Sequence, residues 1–259
     1  MSAEPVPVDA GHMTLVEHLT ELRTRLIICV VAVAIGILIG FVLYPWVSDF
    51  LIRPYRQVAD PNNSITDGQL LATDPLEGFG IRMKTSAYVG IAIAMPVLLW
   101  ELWRFVSPGL YANEKRYAIP FVISAMFLFA LGAGLAYYTM PKALGFLINI
   151  GGEDITTAYS IGKYFKLITY MMLAFGIGFE FPIVLVFLIL AGILEVDMLR
   201  RARRFAIVGI TVLVAVITPS GDPFSMLALS VPMVLFYEVA VLVGRLIEKR
   251  RRDAEAAAA

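Results

Sequence analysis

The sequence predicts an all-α integral membrane protein with six transmembrane helices, the last two short and several kinked at proline. Three observations predict it. Of 259 residues, 59% are hydrophobic and 16% charged, a balance that leaves too little polar surface for a soluble domain. Several apolar runs are long enough to cross a hydrocarbon core of roughly 30 Å. Lysines and arginines are distributed unequally between alternate connections, as membrane topology requires. Formal net charge is zero, so bulk charge says nothing about nucleic acid or acidic substrates, and the placement of charge carries the information. The one cysteine, Cys29, lies inside an apolar run. It excludes a disulfide framework and reads as a packed thiol. His12 and His18 are the only histidines, and there is no CxxC or HExxH, so no metal site is expected.

Residues 1–13 are polar, with Pro5 and Pro7, and are expected to be a disordered N-terminal segment. Glu4, Asp9, Glu17 and Glu21 precede the first apolar run and no small-residue cleavage site follows it, so the N-terminus is expected to be retained. Thr14 and Glu17 have capping-box spacing. Leu15, Leu19, Leu22 and Leu26 then share one helical face, an amphipathic turn that feeds the first span, 26–43. Tyr44, Pro45 and Trp46 are expected to close that span, with a long loop from Pro45 to Met83 beyond it. Within the loop, WVSDFLIRPY has the spacing of an interfacial helix that Pro54 would end. Gly36 and Gly40 form a GxxxG, which reads as close helix packing rather than a dimer seam.

The second span, 85–103, contains Pro96 and closes with Trp100 and Trp103 beside Glu101 and Arg104, read as an interfacial aromatic belt. After the connector FVSPGLYANEKR, with Asn113 as N-cap, the third span runs over 117–140 without a charge. A loop from Pro141 to Lys166 leads to Ser160, a candidate cap for the fourth span, 167–190. That span has a single charge, Glu180, about 2 Å along the axis from its midpoint at ~1.5 Å per residue. A carboxylate there costs roughly 2.5–3.5 kcal/mol on insertion scales and normally faces protein or water.

The arginine-rich EVDMLRRARR precedes the last two runs, 205–218 and 223–244. The fifth is about 20 Å of helix against a core of roughly 30 Å, so it thins the bilayer or stays partly covered; a re-entrant hairpin is the alternative. Asp222 and Pro223 form an N-cap and N1 pair for the sixth. Residues 14–245 thus make one six-span domain. The remainder, 246–259, is a basic and then alanine-rich tail. With six spans, 14 of the 21 lysines and arginines fall on the side of the termini, which places both termini in the cytoplasm and the protein in the cytoplasmic membrane.

No nucleophile-and-base pair or facing carboxylate pair lies within the spans, and none contains histidine, which argues against an intramembrane protease. A proton-coupled small-molecule carrier using Glu180 alone is the alternative. Glu21 has a plain reading as an i,i+4 partner of Arg25, Glu114 as an acid at a helix N-terminus, and Glu238 as a side chain that snorkels or pairs between helices.

Five motifs in order, HLTELRTRL (18–26), RPY (53–55), WRFVSPGLYANEKR (103–116), FGIGFEFP (175–182) and ITPSGDPFS (217–225), give the chain a resemblance to the TatC family. These proteins are the polytopic core subunits of the twin-arginine protein translocase. The resemblance implies a non-enzymatic receptor, with no bound cofactor and no nucleic-acid partner, for signal peptides carrying paired arginines, and a scaffold that exports folded proteins using the proton-motive force. It implies partners in small single-span TatA- and TatB-type subunits, contact with the lipid bilayer, and homo-oligomers within the receptor complex. Residue by residue, it implies that Glu21, Arg23, Phe105 and Glu114 bind the signal peptide. It makes Glu180 an intramembrane contact for a partner helix or signal peptide, and Pro54 and Asp222 structural or loop residues. Where relatives often read TPPD this chain has Thr218, Pro219, Ser220, Gly221 and Asp222, so the last match is offset locally. Carboxylates suit arginine, which they hold in a bidentate fork that lysine cannot copy.

Overall fold

The computed structural model describes residues 15–59, 70–72, 74–106, 118–150, 159–190 and 192–258. Its helices are, in chain order, α1 (Leu15–Arg56), α2 (Glu77–Val106), α3 (Ala118–Asn149), α4 (Ile161–Phe179), α5 (Phe181–Leu190), α6 (Val196–Ile217) and α7 (Pro223–Ala258). The described residues contain no strand, only one parallel bridge between Leu71 and Ser160. Five stretches are long and apolar enough to cross a membrane: Leu19–Arg56, Glu77–Phe105, Ile119–Asn149, Ile161–Leu190 and Pro223–Lys249. Helices α4 and α5 together form the fourth. Helix α6 is a sixth rod whose first half carries the arginines and whose second half is the short apolar run.

Helix α1 packs along α2 and α3 along α4, while α5 and α6 both lean on α7. The α1–α2 contact is backbone to backbone. A Cβ on Gly40 would lie 2.8 Å from the Ser86 carbonyl oxygen, and one on Gly90 would lie 2.5 Å from the Ile37 nitrogen. The GxxxG is therefore an intramolecular packing face. The main core gathers Met140, Ile168, Met171, Phe175 and Phe179 from α3 and α4 with Leu229, Met233 and Tyr237 from α7.

Several sequence expectations change. Residues 45–56 are not loop or a separate interfacial helix: α1 runs through Pro45 and Pro54. A proline strips the carbonyl four residues earlier of its helical N–H, and here other elements supply the missing donor. Arg82 Nη2 donates to the Phe41 carbonyl at 3.1 Å and Tyr137 Oη to the Phe50 carbonyl at 3.0 Å. Phe50 also stacks on Tyr137 with ring centroids 4.2 Å apart. The expected loop after Pro141 is helical to Asn149, where Ala143 and Leu144 are buried against the core. Trp103 is not a belt residue. It is 3% exposed, packed on Phe121 and Phe187 at centroid distances of 4.7 and 5.6 Å; Trp100 remains exposed. Helix α7 continues through the expected tail to Ala258.

At the opposite end to the termini, the Ser160 hydroxyl caps α4, accepting from Lys163 N at 3.4 Å. Glu77 accepts from Gly162 N at 2.8 Å, tying the start of α2 to the start of α4. Thr14 and Asn113 lie outside the described residues.

Candidate functional site

The site is built where α1 begins and α2 ends. The Arg25 guanidinium lies between two carboxylates: its Nε donates to Glu21 Oε1 at 3.1 Å, and its Nη2 donates to the same oxygen. Its Nη1 donates to Glu101 Oε2 at 3.0 Å. The side chains of Arg25, Glu21 and Glu101 are 14%, 20% and 7% exposed, so this is not a surface pair of the kind worth only about 0.2–1 kcal/mol. Glu21 Oε2 is buried and has no hydrogen-bond partner among the described residues. Two carboxylates on one guanidinium leave a formal charge of −1.

The sequence folds this way because the glycine contact fixes a register. A Cβ on Gly36 would overlap the Gly90 carbonyl, so these two positions face each other across antiparallel helices. Arg25 lies eleven residues before Gly36 and Glu101 eleven residues after Gly90. Eleven residues are about three turns at 3.6 per turn, so both side chains return to the contact face at one level. The sequence reading paired Glu21 with Arg25 and passed over Glu101 as a neighbour of the tryptophans. The glycine register was the signal that would have found it.

Of the other expected site residues, Arg23 is exposed on α1 and Phe105 is half-buried one turn beyond Glu101 on the same face of α2,. Glu114 lies outside the described residues. Glu180 stands at the break between α4 and α5. Pro182 lacks the N–H that would reach the Gly178 carbonyl, and the Glu180 N–H turns back to Gly178 and Ile177. Glu180 is 8% exposed and its Oε1 has no hydrogen-bond partner among the described residues. The neighbouring Phe179 packs edge-on to Phe236 at 5.1 Å, and Gly178 faces Leu229 and Met233.

Asp222 is fully buried and occupied as a helix cap: Oδ1 accepts from Ser225 N at 2.7 Å and Oδ2 from the Ser220 hydroxyl. Pro54 is buried, and the ring of the next residue, Tyr55, lies 5.4 Å from that of Tyr164. Glu238 pairs between helices, with Arg203 at 2.6 Å.

A family model described as Sec-independent protein translocase protein (TatC) matches residues 17–232. TatC of Frankia casuarinae is 40% identical over 250 residues, covering 94% of this chain and 68% of that protein. TatC of Aquifex aeolicus is 36% identical over 248 residues, covering 95% of this chain and 100% of that protein. A crystal structure of the twin arginine translocase receptor TatC superposes with a TM-score of 0.74 at 37% identity, over 89% of this chain and 99% of that one. A second structure of that receptor, in DDM, gives 0.73. The chain belongs to the TatC family, non-enzymatic membrane subunits of the Sec-independent, twin-arginine protein translocase.

Proposed function

We propose that this chain is the twin-arginine signal-peptide receptor and the scaffold of a translocase that exports folded proteins, driven by the proton-motive force. One observation carries the reading: Glu21 and Glu101 share the single guanidinium of Arg25 at the helix rim, a cluster with a formal charge of −1. A signal-peptide arginine is the kind of cation that suits such a cluster. Glu114, Arg23 and Phe105 complete the recognition surface, with the apolar part of the signal peptide lying against the membrane-embedded helices. The excess of lysine and arginine on the side of the termini supports a cytoplasmic position for that surface and for both termini, at the inner membrane.

Glu180 then serves a TatA- or TatB-type helix or an inserting signal peptide, and the short apolar half of α6 offers a thin place for docking. Pro54 and Asp222 shape the outer connections. The receptor works as a homo-oligomer with those small subunits.

A photo-crosslinker placed beside Glu114 tests the reading. A twin-arginine precursor is expected to crosslink there, and Glu21→Ala to remove the product; absence of any crosslink in the unaltered receptor contradicts it. A proton-coupled carrier would instead show solute uptake abolished by Glu180→Gln and untouched by Glu21→Ala.

A further inference from the structure

We propose that Glu101 is a positioning residue that sets the charge of the arginine-binding site: it draws Arg25 away from neutralising Glu21, so that Glu21 keeps the negative charge that attracts a precursor's guanidinium. The proposal rests on the receptor reading above.

Glu21 and Arg25 alone, four residues apart on α1, would form a self-neutralised pair with little attraction for a further cation. The structure adds a second carboxylate from α2. Arg25 is shared, Nε and Nη2 on Glu21 Oε1, and Nη1 on Glu101 Oε2 at 3.0 Å. Each carboxylate therefore receives only part of the guanidinium's charge. Glu101, 6% exposed, lies too deep to meet a peptide arriving at the rim, whereas Glu21 is the most exposed of the three side chains. Both Arg25 contacts to Glu21 use Oε1, and Oε2, itself buried, has no partner among the described residues. A precursor guanidinium beside the accessible part of Glu21 brings the cluster to neutrality without displacing Arg25. Arg25 also holds the Glu21 carboxylate in one rotamer, so little ordering remains when the peptide binds.

The test is a binding titration of the full chain in lipid nanodiscs with a fluorescent twin-arginine signal peptide, at constant ionic strength. Glu101→Gln leaves Arg25 to neutralise Glu21, and affinity is expected to fall about tenfold, the scale of one partly desolvated charge interaction. Arg25→Gln combined with Glu101→Gln restores the net charge of −1, and affinity is expected to return to within about threefold of the starting protein. A residue that acts only through packing would not be rescued by removing a second side chain. If the double variant binds as weakly as Glu101→Gln, the proposal is overturned. It is also overturned if Glu101→Gln binds like the starting protein while Glu21→Gln loses binding, a result that leaves the receptor reading intact. If the starting protein does not bind the peptide, the receptor reading fails and takes the proposal with it.

Should Glu101→Gln not fold, the double variant decides alone: affinity within about threefold of the starting protein is expected, and a fall of about tenfold or more overturns the proposal.

Discussion

Glu101 and Glu180 are buried to almost the same degree, 6% and 8% exposed, yet they sit in opposite surroundings. Glu101 is met by Arg25 at 3.0 Å across the α1–α2 seam. Glu180 lies between Phe179 and Phe181 at a helix break, with one oxygen unpartnered among the described residues. Burial alone therefore does not say where substrate is recognised. A carboxylate that shares its guanidinium with a second one, as Glu101 shares Arg25 with Glu21, is already satisfied and belongs to a charged cluster. A lone carboxylate in apolar surroundings destabilises the isolated fold, and a helix that brings it a donor gains by docking there.

The contrast can be broken by substitution, beginning with the largest expected effect. Trp103, buried between Phe121 and Phe187 two residues after Glu101, anchors the end of α2. Trp103→Ala is expected to lower stability by about 3 kcal/mol, read as a shift in the thermal midpoint in nanodiscs, and to weaken signal-peptide capture because Glu101 and Phe105 lose their support. Next is Gly90→Leu. Its side chain must push α1 away from α2, at about 1–3 kcal/mol, and should separate Arg25 from Glu101. Preserved peptide binding in a folded Gly90→Leu protein would show that the seam does not set the site.

The Glu180 side of the comparison is sharpened by Glu180→Leu. Removing an unpartnered buried carboxylate is expected to raise stability by about 1–2 kcal/mol while impairing assembly with small partner subunits. A fall in stability would mean that Glu180 has a stabilising partner after all. The smallest effect is expected at the proline repairs. Tyr137→Phe removes the donor to the Phe50 carbonyl and should cost about 1 kcal/mol, measured by the same melt.

Those repairs also explain what the sequence concealed. Apolar runs and turn residues were enough to predict an all-helical membrane fold, and local caps were readable because their partners lie within one turn: Asp222 with Ser225, Ser160 with Lys163. Pro45 and Pro54 misled for the opposite reason. Locally each ends a helix, but the donors that rescue their carbonyls, Arg82 and Tyr137, come from 41 and 87 residues away.

At the site, Glu21 with Arg25 was legible at i,i+4, whereas Glu101 required the pairing of two helices. That pairing was written in Gly36 and Gly90, the first already recognised as a packing face but without its opposite partner. Trp103 was misplaced because tryptophan at a helix end suits a membrane interface and a buried aromatic contact equally well; only the approach of Phe121 and Phe187 decides.

The most direct measurement is the affinity of one twin-arginine signal peptide for three proteins in the same nanodiscs: the unaltered chain, Glu21→Ala and Glu180→Gln. Recognition at the rim predicts that Glu21→Ala loses about tenfold or more in affinity, while Glu180→Gln still captures the peptide and shows its defect only when partner subunits assemble. Loss of capture in Glu180→Gln with normal binding by Glu21→Ala would contradict the account and return the active centre to the middle of the membrane.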